Sequence, residues 1–84
     1  MTVLKCKISD KTFQGFEVRL DMNYINTKEE ICKQVKSTLV THLEWFKFEI
    51  LAEMAKTIDF HIHDHEIGDI LMMEENEILW ICNH

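Results

Sequence analysis

The chain has no proline and only two glycines in 84 residues. A glycine-rich loop that cradles a phosphate or a substrate is therefore excluded, because such a loop needs bare backbone at several positions. No apolar run approaches the ~20 residues of a membrane-spanning helix. Residues 1–10 alternate lysine with apolar side chains and lack the apolar centre of a secretory signal. The three cysteines, Cys6, Cys32 and Cys82, are scattered and form no CxxC pair. Without an export signal they read as reduced thiols, and the expected location is intracellular, in the cytoplasm. Basic residues are scarce in the second half. Residues 44–84 hold two lysines against ten Asp/Glu, a net −8, whereas residues 1–43 hold seven Lys/Arg against five Asp/Glu, a net +2. Phosphate-backbone binding rests on clustered Lys and Arg, so neither nucleic acid nor a membrane is an expected partner. The acidic half reads first as a solvated surface and second as an acidic docking patch. The chain also lacks internal repeats, linkers and low-complexity segments.

What is present is an ordinary globular composition, 46% hydrophobic, which argues against disorder. The length allows one small domain over residues 1–84, with a core near the lower limit of self-sufficiency. Residues 27–43 organise the rest. Thr27 and Glu30 form a capping box, and Glu29 and Glu30 place negative charge at the positive end of the helix dipole. Ile31, Val35, Leu39 and Leu43 recur every four residues, with Cys32 and Val40 widening the stripe. Such a helix has one face to bury, and the neighbouring segments read as the sheet that covers it.

Residues 3–9 alternate: Leu4, Cys6 and Ile8 on one side, Lys5, Lys7 and Ser9 on the other. Residues 10–12 suit a hairpin connection, and Phe16, Val18, Leu20 and Met22 then alternate with Glu17, Arg19 and Asp21. Gly15 opens this second strand, where a bulge is expected. Tyr24 and Ile25 are placed to pack beside the first helical turn. Residues 45–57 carry two signals. Phe46, Phe48 and Ile50 alternate with Lys47 and Glu49, whereas residues 51–56 have high helix propensity. One continuous helix over 27–57 would let its apolar stripe drift by about half a turn. The preferred reading is a break near residues 42–44 and a strand over 46–51. Residues 58–63 alternate again. Residues 64–73 read as a loop with one helical turn at 67–71, and residues 74–76 as a polar turn. The last strand, 77–82, is expected to turn Ile78, Trp80 and Cys82 toward the helix and Leu79 and Ile81 to the open side.

This order of elements is that of the β-grasp fold, an α+β mixed sheet packed on one main helix. Residues 66–81, Glu-Ile-Gly-Asp-Ile-Leu-Met-Met-Glu-Glu-Asn-Glu-Ile-Leu-Trp-Ile, resemble the closing segment of ubiquitin. The helix start Thr27-x-Glu29-x-Ile31-x-x-x-Val35 is similar to ubiquitin's helix, and Asp10-Lys11-Thr12 with Phe16-Glu17-Val18 resembles its first hairpin. Two departures stand out. The connection into the helix is longer, and the sequence closes on Cys82-Asn83-His84 in place of the Gly-Gly tail that conjugation requires. The resemblance therefore implies the non-conjugated ubiquitin-like class, whose members bind partner proteins.

The resemblance assigns a hydrophobic patch to the open sheet face. Here it would comprise Leu79, Ile81 and Leu51, flanked by Lys5, Lys7 and Arg19, against the alternative of ordinary exposed hydrophobes. His61, His63 and His65 alternate as zinc ligands on strands do. A polar outer face is preferred to a zinc site, because a metal needs a third ligand held in place. Cys-His catalysis requires a thiolate, a base and an oxyanion site, and no such set is evident. The expectation is a non-catalytic, cofactor-free module that binds a protein partner through the open sheet face. Two alternatives stand beside it. One is head-to-tail self-association of Lys5 and Lys7 with the acidic loop Asp64, Glu66 and Asp69. The other is metal binding by His61, His63 and His65.

Overall fold

A computed structural model describes residues 3–13, 16–24, 27–74 and 76–82. Strand β1 (Val3–Ile8) and strand β2 (Glu17–Asp21) form an antiparallel hairpin, joined through a 3-10 turn at Lys11–Phe13. Asp10 accepts the Thr12 backbone N–H at 2.6 Å, which sets the turn. Helix α1 (Lys28–Trp45) follows, then α2 (Glu49–Thr57), the short α3 (Ile67–Leu71) and strand β3 (Ile78–Ile81). The sheet order is β2-β1-β3, with β3 parallel to β1. A parallel pair needs a long crossover, and the three helices lie within it. The result is an α+β domain, a mixed sheet with a long helix, consistent with a β-grasp arrangement. The bulge expected at Gly15 and the packing expected of Tyr24 and Ile25 lie outside what is described.

Helix α1 starts where its cap demands. Thr27 Oγ1 accepts the Glu30 backbone N–H at 3.1 Å, while the Glu30 carboxylate accepts from Gln34 Nε2 one turn on. The four-step stripe is the buried face: Ile31, Val35, Leu39 and Leu43 are all in the core, with Cys32 and Val40 half-buried beside them. They meet Leu4, Cys6, Ile8, Val18 and Leu20 from the sheet. In both β1 and β2 the buried side chains are the apolar set of the alternation.

The strand expected over residues 46–51 is not formed. Helix α1 runs two residues past Leu43, and α2 begins at Glu49. A helix break without glycine or proline has a specific cause here. Phe48 donates its backbone N–H to the Leu43 carbonyl at 2.8 Å, and Lys47 donates to Glu44 at 3.0 Å. These are the two bonds of a Schellman motif, in which the residue after the cap takes the left-handed conformation. That residue is Lys47, with φ 62°, in a place that glycine usually fills. The Phe48 carbonyl then accepts from Ala52 at 2.9 Å and opens α2. The helix propensity of residues 51–56 thus prevails over the short alternation before it. Ala52 and Ala55 pack inward, and α2 lies against α1. Left-handed backbone costs a non-glycine residue roughly 1–2 kcal/mol. Lys47→Gly is expected to raise stability by about 1 kcal/mol, read as a rise in melting temperature of ~4–8 °C.

Residues 58–63 keep the expected parity, with Phe60 and Ile62 buried and His61 and His63 exposed. They join the sheet through one antiparallel bridge, His61 to Cys82, with bonds of 2.6 and 2.8 Å. The helical turn at Ile67–Leu71 forms where the sequence places it, and its Ile70 is buried. The last strand reverses the expected faces. Leu79 and Ile81 are fully buried, whereas Trp80 is 50% exposed and Ile78 half-buried. The register gives the reason. Cys6 lies beside Leu79 and Ile8 beside Ile81, so the inward face of β1 carries these two inward with it. Lys5 and Lys7, on the outer face, lie beside Ile78 and Trp80. Residues 78–82 are apolar throughout, so alternation alone left both faces eligible.

Candidate docking surfaces

The open sheet face is built by the register. Lys5 lies between Arg19 on β2 and Ile78 on β3; Lys7 lies between Glu17 and Trp80. Side chains level with one another on adjacent strands share a face, so these six form one surface. Its composition is mixed: two half-buried lysines, an exposed arginine and a half-exposed tryptophan. A depression of about 420 Å³ opens at one end, lined by Val3, Lys5, Arg19 and Asn76. Lys5 and Arg19 are like charges directly opposite each other, a pairing that destabilises a sheet. Arg19 finds Glu17 at 3.4 Å, a bond between exposed groups that contributes little. Of the patch expected from the sequence, Lys5, Lys7 and Arg19 are on this face. Leu79 and Ile81 are behind it in the core, and Leu51 is on α2, half-buried against the core. Trp80 takes the place that Leu79 and Ile81 were expected to fill.

A second surface was not anticipated. At the corner between α1 and α2, Trp45 is 80% exposed and Ile50 79% exposed, with Phe46, Phe48 and Met54 also in water. Five large apolar side chains thus stand exposed within ten residues. Phe46 packs on the His42 ring at 4.7 Å, and His42 meets Phe16 edge-on at 5.0 Å. Lys47, Phe48, Glu49, Ile50 and Leu51 line a depression of about 330 Å³. The signal was in the sequence. Once residues 49–57 are helical, Ile50 and Met54 fall one turn apart, on the side away from Ala52 and Ala55.

The histidines are brought together in part. The rings of His61 and His63 stack with centroids 5.6 Å apart, and His65 is half-buried further along. His61 and His63 border a depression of about 200 Å³ with Lys28, Glu29 and Cys32. Lys28 Nζ donates to the Ile62 carbonyl at 3.4 Å and lies 3.9 Å from Glu66. Among the described residues, no three His, Cys, Asp or Glu side chains converge in a way that could hold a metal ion. The acidic loop is exposed at Asp64, Glu66 and Asp69, with Asp69 inside α3.

Cys6 and Cys32 are poor nucleophiles. Burial pushes the Cys6 thiol up to about 12, with a smaller contribution from Cys32. Burial also raises Cys32, helped by Glu29 and Cys82 and opposed by Lys28. A thiol in that state carries little thiolate near neutral pH. No protein-family model, no curated protein and no solved structure matches the chain.

Proposed function

We propose that the protein is a non-catalytic, ubiquitin-like interaction module that docks a protein partner on the open face of its sheet. The observation that carries this reading is Trp80. A half-exposed tryptophan sits on a strand whose neighbouring side chains are buried, beside Lys7 and on the same face as Lys5 and Arg19. Tryptophan covers a large area at low conformational cost and is enriched at the energetic centres of interfaces. The three cations of this face favour a partner with an apolar centre and an acidic rim, and they speed its approach. They are too few, on an acidic protein, to support phosphate-backbone binding. The raised Cys6 and Cys32 thiols support the non-catalytic part of the reading. The expected setting is intracellular, where three free thiols persist. Head-to-tail association of this basic face with Asp64, Glu66 and Asp69 would use the same cations, but it leaves Trp80 without a role.

The test is capture of partners from a cell extract on the immobilised domain. Trp80→Ala should lose the captured protein while keeping the wild-type melting temperature, because the side chain is not part of the core. Lys5→Glu with Lys7→Glu should slow association at low salt and lose this effect at high salt, where charges are screened. A Trp80→Ala variant that captures every partner normally would move the site off this face.

A further inference from the structure

We infer that the corner between α1 and α2 is a self-association surface, covered in solution by the same corner of a second copy of this chain. The inference is independent of the sheet face. Three observations carry it, the first being area. Side chains such as Trp45, Phe46, Phe48, Ile50 and Met54 leave on the order of 600 Å² of apolar surface in water when they stand this exposed. That is the upper limit of what a monomer exposes, and it approaches the roughly 800 Å² per partner of a stable interface.

The second observation is charge. The protein carries −6, with −8 in residues 44–84, so two copies meeting through the acidic half repel each other. Within the acidic half, residues 45–57 carry little charge: Lys47 and Lys56 balance Glu49 and Glu53, with Glu44 just before them. Glu53 already holds Lys56 at 3.0 Å. The segment offers little net charge for a strongly basic or acidic partner to recognise, and a second copy meets less repulsion here than along the rest of the acidic half.

The third observation is shape. The corner carries an exposed aromatic side chain, Trp45, which borders a depression with Thr41 and His42, and a second depression lined by Lys47, Phe48, Glu49, Ile50 and Leu51. A two-fold axis brings each Trp45 to the other copy's second depression, as an isologous interface requires. The same axis can run two α2 helices antiparallel, with Ile50 of one copy against Met54 of the other and their dipoles opposed. The corner is also held rigidly. Lys47 keeps a left-handed conformation that costs free energy, and the two Schellman bonds lock the chain on either side of it. A fixed corner loses little entropy on association. The sheet face lies on the far side of the helical layer, so the dimer would present two copies of it and bind a repeated partner with avidity.

Sedimentation equilibrium of the intact chain across the micromolar range tests the inference. The expected result is a monomer–dimer equilibrium that stops at the dimer and persists at high salt. Ile50→Asp with Met54→Asp should weaken self-association by roughly a hundredfold or more, since it removes two apolar side chains from the interface and places unpaired charges there. Trp45→Ala, at the most exposed position of the corner, should weaken it as well. Both variants should melt as the dilute wild type does. A wild type that stays monomeric overturns the inference. So does a dimer that survives both substitutions, and so does an open-ended series of oligomers that salt disperses. A monomer that captures a different protein through Trp45 assigns the corner to that protein and overturns pairing with a second copy.

Discussion

Replacing Leu79 and Ile81 together by serine is expected to abolish the cooperative melt. Both side chains are fully buried, level with Cys6 and Ile8 on the inner face of the sheet. Each replacement loses an aliphatic side chain from a packed site, a loss that typically costs 2–5 kcal/mol in large-to-small substitutions. Each also buries a hydroxyl with no partner, at roughly 1–3 kcal/mol. Two such changes match the whole stability of a small domain, which lies toward the low end of 5–15 kcal/mol. Circular dichroism against temperature reads the result as a sloping trace without a transition. Trp80→Ser on the same strand is the control and should melt as the wild type does. If instead the double variant folded and Trp80→Ser did not, the faces of β3 would be exchanged.

Val35→Asp is the second substitution expected to unfold the protein. Val35 lies at the middle of the α1 stripe and is fully buried, and among the described residues the core contains no buried polar or charged side chain. A carboxylate there has no cation and no donor to offset the loss of water, so it must either stay charged at a cost of several kcal/mol or take up a proton. Val35→Ala separates loss of volume from burial of charge. It should lower the melting temperature, by ~4–8 °C per kcal/mol lost, and keep a single cooperative transition. A Val35→Asp variant with an unchanged melt would remove α1 from the core.

These two sites differ in how legible they were. Val35 could be placed from the chain alone, because Ile31, Val35, Leu39 and Leu43 keep helical spacing behind a threonine cap and polar residues fill the other face. The inward side of β1 was equally plain, since Lys5 and Lys7 contrast with Leu4, Cys6 and Ile8. The turn at 67–71 and the parity of Phe60 and Ile62 came through for the same reason: local pattern and burial agreed. At residues 78–82 there was no contrast to read. Ile, Leu, Trp, Ile and Cys can each face a core, so the choice passed to the neighbouring strand.

The corner at residues 46–48 failed to show for a different reason. Its stop signal is a backbone conformation at Lys47, and lysine carries no mark of it. The alternation of Phe46, Phe48 and Ile50 then imitated a strand. The proposed surfaces divide along the same line. Local alternation set Lys5, Lys7 and Arg19 apart from the inward residues of their strands, and the resemblance to ubiquitin assigned them to the open face. Trp80 joined them only through the parallel register of β3 with β1, a contact across more than seventy residues. The aromatic corner required α2 to exist and to turn Ala52 and Ala55 inward before Ile50 and Met54 could face water. The sequence by itself determined the cap, the helix stripe and the faces of the amphipathic strands, because each rests on interactions within a few residues. Only the tertiary structure decided which side of an all-apolar strand is wet and where a helix without glycine or proline ends. Those outcomes depend on which distant partner removes more apolar surface from water.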